Sequence, residues 1–165
     1  LWAFWRACGF TLVRIGSQRE ASSGCYAAMA ILPCSAAGEA LTRRAAGQLA
    51  RDWSRLRQHI ALDLQFDQAT DDGLTAQDSH LAVGFAWAQR PLEASLPVLQ
   101  RLAEASAVSV PLLAAAVAAP DALSDLARQT GLSGRKALIA TLRQQAASAL
   151  ESVGVTADAL HRPLK

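Results

Sequence analysis

A chain of 165 residues that is 52% hydrophobic is long enough to bury a core, and 18% charged residues is too few for a disordered segment. Its net charge of +2 does not by itself indicate a nucleic-acid partner. Arg6 and Gly9 interrupt the apolar residues of the opening stretch LWAFWRACGF, and no apolar run reaches the roughly 20 residues of a spanning helix, so we expect a soluble protein without a signal peptide.

The first 32 residues have the pattern of a helix end followed by two strands. Residues 1–8 suit the last turns of a helix, and Gly9 is a common residue just after a helix. FTLVRI alternates as a short strand, GSQREASSG is a polar loop, and CYAAMAIL is a second strand that ends at Pro33. The alternation divides the first strand between two faces, with Phe10, Leu12 and Arg14 on one and Thr11, Val13 and Ile15 on the other. Such a small unit buries too little surface to be stable alone, so we expect it to be the end of an α/β or α+β unit.

The chain reads as helical from Ser35 onward. Ser35 suits the N-cap of a helix that runs to about Ile60, and an acidic linker follows to about Gly73. Apolar residues at spacings of three or four predict the core-facing stripe of this helix: Leu41, Ala45, Leu49, Trp53, Leu56 and Ile60. Further helices are predicted at 76–89, 91–105, 109–119, 121–130 and 134–152, with stop signals at Gly131 and Gly154.

Charges are unevenly distributed along the chain. Arginines concentrate on the first long predicted helix: Arg43, Arg44, Arg51, Arg55 and Arg57. Between Gln58 and Gln89 there is no Lys or Arg, and five aspartates lie there: Asp63, Asp67, Asp71, Asp72 and Asp78. A second basic group, on the last predicted helix, contains Arg135, Lys136 and Arg143. Each basic group is either a solvated helix face or an RNA-binding surface.

The cysteines and large aromatic residues favour structural roles. Cys8, Cys25 and Cys34 are an odd number without C-x-x-C spacing or a neighbouring His, so they do not indicate a zinc site. We expect reduced, mostly buried thiols in a cytosolic protein. Trp53 and Trp87 fall on apolar stripes and are expected to pack in the core.

Three segments carry a resemblance to a known family. Trp5-x-x-x-Gly9-Phe10 followed by a strand is similar to the last helix and closing strands of the GNAT acetyltransferase fold. The segment from Leu1 to Leu41 resembles the end of the acetyltransferase domain in the bacterial tRNA(Met) cytidine acetyltransferases. GFAWAQRPLEASLPVLQRL and LSGRKALIATLRQQ resemble their C-terminal tRNA-binding domain, in the same order and spacing.

This resemblance implies an α+β chain that is a fragment of a multi-module enzyme. Residues 1–34 would end the GNAT domain, 35–60 would form a connecting basic amphipathic helix, and 61–165 a mainly α-helical tRNA-binding domain. It implies an ATP-driven module that uses Mg, and a GNAT module that uses acetyl-CoA. Together these would make N4-acetylcytidine at the wobble position of elongator tRNA(Met) in the cytoplasm. We infer no obligate protein partner from the sequence. GLSGRK lacks phosphate-loop spacing, so we expect the fragment alone to be inactive.

The resemblance also suggests roles for individual residues. Family members carry an Arg before Cys-Gly-Phe that contacts acetyl-CoA; Ala7 holds that position here, and Arg6 is either the replacement contact or a surface charge. Arg19 and Glu20, between the two strands, are a substrate-contacting pair or a solvated one. The tRNA-binding surface would consist of Arg43, Arg44, Arg51, Arg55, Arg135, Lys136 and Arg143.

Two other functions fit parts of the sequence. One is a non-catalytic helical interaction module attached to a degenerate acetyltransferase end. The other is a GNAT enzyme for small amines, which leaves the long helical extension unexplained.

Overall fold

The computed structural model describes residues 1–66, 71 and 73–161, and it divides into two compact units, residues 1–71 and 72–165. The first unit contains helix α1 (Trp2–Ala7), strands β1 (Thr11–Arg19) and β2 (Tyr26–Ile31) and helix α2 (Ala36–Leu56). The second contains helices α3 (Ala76–Trp87), α4 (Leu96–Ala105), α5 (Pro111–Ala118), α6 (Leu123–Gln129) and α7 (Arg135–Ser152), with short 3-10 turns at Pro120–Ala122 and Ala157–His161. The α+β class is confirmed, with a small β part followed by a helical domain.

The hairpin of β1 and β2 departs from simple alternation. Leu12 pairs with Ala30 but Arg14 pairs with Met29, so Val13 is an extra residue in β1. Such a β-bulge shifts the following side chains to the opposite face. Leu12 and Ile15 consequently pack in one cluster with α2, and the prediction that they lie on opposite faces is wrong.

Strand β1 is longer than predicted, because the chain turns only after Arg19. The Glu20 N–H donates to the Cys25 carbonyl at 2.9 Å, and the Gly24 N–H donates to the Glu20 carbonyl at 2.8 Å. Gly24 has φ +66°, a left-handed conformation that glycine adopts without strain. The first part of the predicted loop, from Gly16 to Arg19, is therefore strand.

Helix α2 begins as predicted but buries a different residue near its start. The Ser35 Oγ accepts a hydrogen bond from the Gly38 N–H at 3.1 Å, as an N-cap does. Leu49, Trp53, Leu56 and Ile60 are buried, although the helix itself ends at Leu56. Leu41 is 53% exposed and the neighbouring Thr42 is buried instead, because Thr42, and not Leu41, lies seven residues before Leu49 on the same face.

Replacing Ser35 with alanine is expected to lower the free energy of unfolding by about 1 kcal/mol, because the Gly38 N–H loses its acceptor. Urea denaturation followed by circular dichroism measures this change. Ser54→Ala is the matched control: its hydroxyl donates to the Arg51 carbonyl within α2, and alanine there should change stability by less than about 0.5 kcal/mol. Equal effects at the two serines would contradict the capping role.

The second unit is a helical assembly around α7, which packs against α3, α4, α5 and α6. Its fully buried side chains include Phe85, Leu99, Leu102, Leu113, Leu138, Leu142 and Leu150. Trp87 packs partly buried against this core, as predicted. Gly131 and Gly154 follow α6 and α7 with φ +69° and +79°, which confirms both stop signals.

Helix α4 starts later than predicted, at Leu96 and not at Pro91. The Ser95 hydroxyl donates to the Pro91 carbonyl at 2.8 Å, and the Arg90 Nη2 donates to the Ala94 carbonyl at 2.8 Å. These contacts hold residues 91–95 as a turn ahead of the helix.

The three cysteines are free, as expected, but exposed, so the prediction of mostly buried thiols is wrong. Cys8 follows α1, Cys25 lies in the hairpin turn, and Cys34 lies between β2 and α2. Connecting segments lie at the surface, so a cysteine in such a segment stays exposed although its side chain is apolar.

Candidate nucleic-acid interface

The first turns of α2 carry two open arginines. Arg43 and Arg44 are exposed, and neither makes an ion pair or hydrogen bond with the part of the chain that the structure describes. Their five N–H donors each remain open to an external anion.

Farther along α2, Arg51 and Arg55 share one carboxylate. The Arg55 Nε lies 2.7 Å from the Asp71 Oδ2, and the Arg51 Nη2 lies 3.9 Å from the Asp71 Oδ1. The Arg51 side chain is 16% exposed and the Arg55 side chain 14%, so both are more buried than the exposed Arg43 and Arg44. The predicted helix face exists, but Asp71 of the acidic linker partly neutralises it. Asp67 and Asp72 lie outside the described residues.

A second pair of cations lies in the first turn of α7. Arg135 and Lys136 are both exposed, and Arg135 forms an ion pair with Glu93. The first turn holds no acidic residue and no side-chain cap. Cations here oppose the helix dipole, which favours negative charge at this end. Open N–H groups beside cations are an arrangement suited to a phosphate.

Arg143 serves the fold of the second unit. Its Nη1 donates to the Phe85 carbonyl at 2.8 Å, its Nη2 to the Arg90 carbonyl at 3.4 Å, and the guanidinium lies 5.1 Å from the centre of the Phe85 ring. These contacts tie α7 to the end of α3. Arg143 thus turns inward although it follows Arg135 by about two helical turns.

Arg6, Arg19 and Glu20, which the sequence assigned to cofactor and substrate contacts, lie on α1 and at the hairpin turn of the first unit. Arg6 is exposed in the last turn of α1. The Arg19 guanidinium lies 5.3 Å from the centre of the Tyr26 ring, and the Glu20 Oε2 accepts from the Ser23 hydroxyl at 3.1 Å. Arg19 is therefore a partner of Tyr26, and Glu20 braces the hairpin turn.

Arg19 also borders an apolar cavity of about 830 Å³ in the first unit. Its wall is mostly aromatic and aliphatic, with Leu1, Trp2, Trp5, Phe10, Tyr26 and Leu62 among its members. Arg6 is not one of the lining residues. A pyrophosphate site needs several convergent N–H donors, whereas the side chains of this wall supply one guanidinium, that of Arg19.

Sequence reasoning missed a buried ion pair in the second unit. The Arg101 Nη1 lies 3.2 Å from the Asp78 Oδ1, and both side chains are fully buried. The Asp78 Oδ2 accepts from the Thr75 N–H at 2.9 Å and from its hydroxyl at 2.7 Å, completing a capping box at the start of α3. The Thr75-x-x-Asp78 spacing was a signal for the cap, but nothing local pairs Asp78 with an arginine on α4.

No group of three or more His, Cys, Asp or Glu side chains within the described ranges is arranged to hold a metal ion. No helix in those same ranges has both the length and the apolar character needed to cross a bilayer.

The family model of a tRNA-binding domain matches residues 38–156, from the first turn of α2 to beyond α7. The chain is 47% identical over 156 residues to tRNA(Met) cytidine acetyltransferase TmcA of Yersinia pestis, which covers 92% of this chain and 22% of that protein. Identity to the proteins of the same name from Pectobacterium atrosepticum and Salmonella typhimurium is 44%, in each case over 91% of this chain and 22% of the relative. The chain thus spans about a fifth of the length of these relatives.

Proposed function

The chain belongs to the tRNA-binding domain family, and on that premise we propose that it is the tRNA-binding part of a tRNA(Met) cytidine acetyltransferase. One observation carries the proposal. The matched residues 38–156 include both groups of exposed cations, Arg43 with Arg44 on α2 and Arg135 with Lys136 on α7. Phosphate contacts from Arg and Lys supply much of the affinity for folded RNA, which proteins recognise largely by shape and backbone.

The basic residues of α2 and α7 make different contacts with the RNA in this proposal. Arg43 and Arg44 meet phosphates first, because nothing in the described chain occupies them. Arg51 and Arg55 add contacts farther along the same helix. Arg135 and Lys136 hold a phosphate together with the open N–H groups of the first turn of α7. Arg143 is assigned to the fold, because its donors serve the Phe85 and Arg90 carbonyls.

The reaction belongs to the longer protein. There, acetyl-CoA supplies the acetyl group for N4 of the wobble cytidine of elongator tRNA(Met), in the cytoplasm, and ATP with Mg drives a separate module. The names of the relatives and the resemblance of residues 1–41 support this assignment. In it, residues 1–34 end the acetyltransferase domain, residues 35–60 form the connecting basic helix that also supplies the α2 arginines to tRNA, and residues 61–165 form the helical tRNA-binding domain. Arg6 contacts acetyl-CoA and the turn at Arg19 and Glu20 edges the substrate, while the nucleotide sites lie in other parts of that protein.

Binding of fluorescently labelled tRNA(Met) by this chain at salt concentrations between about 50 and 200 mM tests the proposal. Each phosphate contact contributes a slope of roughly 0.7–0.9 to the fall of log K with log salt. With four to six contacts we expect a slope of about −3 to −5. Absence of salt-dependent binding at the lowest salt would overturn the tRNA-binding role and favour a protein-interaction module.

Removing Arg135 and Lys136 together, as R135A/K136A, is expected to weaken tRNA binding by about tenfold or more at 100 mM salt and to reduce the slope by about one to two. Arg128→Ala is the matched control in the same unit, since this arginine is 77% exposed and pairs with Asp125 on α6. It should change the affinity less than twofold. If both variants lost affinity equally, the effect would be one of net charge and not of a surface at the start of α7.

A further inference from the structure

One carboxylate occupies the side of α2 where two of the proposed phosphate-binding arginines lie. Asp71 presents Oδ2 to the Arg55 Nε at 2.7 Å and Oδ1 toward the Arg51 Nη2 at 3.9 Å. The Asp71 carboxylate therefore lies between two guanidinium groups one helical turn apart. The Asp71 side chain is 23% exposed, so this contact is screened less by solvent and salt than an ion pair at the open surface.

A phosphate oxygen requires the same N–H donors. Carboxylates and phosphates both accept from guanidinium groups in a planar, two-oxygen arrangement. The hydrogen on the Arg55 Nε points to Asp71, and at 2.7 Å that donor is fully engaged. An RNA phosphate at this position must displace the carboxylate or share the arginines with it at greater distance. Asp71 and RNA are thus competitors for Arg51 and Arg55.

We propose that Asp71 is an autoinhibitory carboxylate that occupies the Arg51–Arg55 pair until a tRNA phosphate displaces it. The inference rests on the proposed tRNA-binding function. It divides α2 into an open part, Arg43 and Arg44, which captures RNA through its charge, and a masked part, which opens only to an RNA that sets a phosphate beside both arginines. A polyanion of the wrong shape gains the first contacts and leaves Asp71 in place.

Because a phosphate must replace the Asp71 carboxylate (the mask of Arg51 and Arg55), binding at this position depends on how well the phosphate is placed. Displacing Asp71 breaks its contact with Arg55 while the new phosphate contact forms, so the net gain at this position is small for a poorly placed phosphate. A phosphate that reaches both guanidinium groups gains two charge-assisted contacts. The mask therefore lowers affinity for all RNA, and lowers it most for RNA without that geometry.

Asp71→Asn, which removes the charge and keeps the shape, tests the inference in the intact chain. We expect tRNA(Met) to bind about two- to fivefold more tightly, the range of one partly exposed ion pair, and the salt slope to steepen by about one. Affinity for a single-stranded RNA of equal length should rise by at least the same factor, because the mask no longer discriminates. Asp71→Ser should give the same gain, and Asp71→Glu should stay near the wild-type affinity.

Asp63→Asn is the matched control, since Asp63 is an exposed acid of the same linker that makes no ion pair with the described residues. It removes the same charge and should change the affinity by less than about 1.5-fold at physiological salt, because solvent and salt screen an exposed carboxylate that holds no arginine. Equal gains from Asp63→Asn and Asp71→Asn would overturn the inference, because the effect would then be one of net charge.

Variants of the arginines separate failure of this inference from failure of the proposed function. In the R51A/R55A background, Asp71→Asn should no longer increase the affinity. If R51A/R55A weakens tRNA binding but Asp71→Asn binds as wild type, the competitor role is wrong and tRNA binding by α2 stands. If neither wild type nor any variant binds tRNA with salt dependence, the proposed function itself fails. Urea denaturation of each variant shows that the chain remains folded.

Discussion

Replacing Arg101 with methionine is expected to lower the free energy of unfolding of the second unit by about 3–5 kcal/mol. Methionine retains the length and apolar stem of the side chain, but it leaves the fully buried Asp78 carboxylate without the guanidinium that lies 3.2 Å from it. A buried charge that loses its counter-charge costs more than the pair contributed, because water cannot reach it. Urea denaturation followed by far-UV circular dichroism measures the change.

Arg128→Met is the matched control for this prediction. It removes the same kind of charge from an ion pair with Asp125 whose side chains are 77% and 61% exposed, and we expect a change of less than about 0.5 kcal/mol. The double variant D78N/R101M should recover part of the loss, since asparagine removes the buried charge and retains an acceptor for Thr75. A loss below about 1 kcal/mol in Arg101→Met would contradict a buried, charged pair.

Replacing the four α2 arginines Arg43, Arg44, Arg51 and Arg55 with alanine is expected to weaken tRNA binding by about 10²–10³-fold at 100 mM salt. A phosphate contact with a slope near 0.8 corresponds to roughly sixfold in affinity at that salt, so four contacts correspond to about 10³-fold. The value falls below this limit because Asp71 already neutralises part of the charge on Arg51 and Arg55. Titration of labelled tRNA(Met) at several salt concentrations measures both the affinity and the slope.

Lysine at the same four positions distinguishes charge from helix structure. Lysine is also a good helix former and keeps the charge, so the four-lysine variant should retain most of the affinity. Arg14→Ala, on the exposed side of β1, removes a single arginine outside the proposed surface and should have little effect. If the chain is part of the acetyltransferase proposed above, the four-alanine variant of that longer protein should raise KM for tRNA much more than it lowers kcat, as loss of uniform binding does. A loss of less than tenfold in affinity would make the α2 arginines a solvated helix face.

The predictions from sequence succeeded where the determining contacts are local. Ser35 caps α2 through the N–H three residues later, and Thr75 caps α3 in the same way. Gly131 and Gly154 end their helices because glycine adopts the left-handed conformation there without strain. The exposed cations at Arg43, Arg44, Arg135 and Lys136 could likewise be placed on helices from the sequence alone.

The predictions from sequence were wrong where a single residue shifts the register of a strand or helix periodicity. One extra residue at Val13 moves Ile15 to the face of Leu12, and a one-position difference buries Thr42 in place of Leu41. Both errors come from periodicities that leave neighbouring positions nearly equivalent until packing against another element chooses between them.

What the sequence determined by itself is the class of the chain, its helix caps and stops, its family, and the residues that carry positive charge. The tertiary structure alone decides which of those positive charges form an ion pair or hydrogen bond within the protein. Asp71 reaches Arg55 across 16 residues, Arg101 reaches Asp78 across 23, and Arg143 reaches the Phe85 carbonyl across 58. Helix periodicity relates residues only three or four apart, whereas pairing over these separations depends on how the elements pack. Among the described residues, Arg43, Arg44 and Lys136 therefore have no ion-pair partner, whereas Arg51 and Arg55 contact Asp71 and Arg135 contacts Glu93. Arg101 and Arg143 are held by contacts inside the second unit.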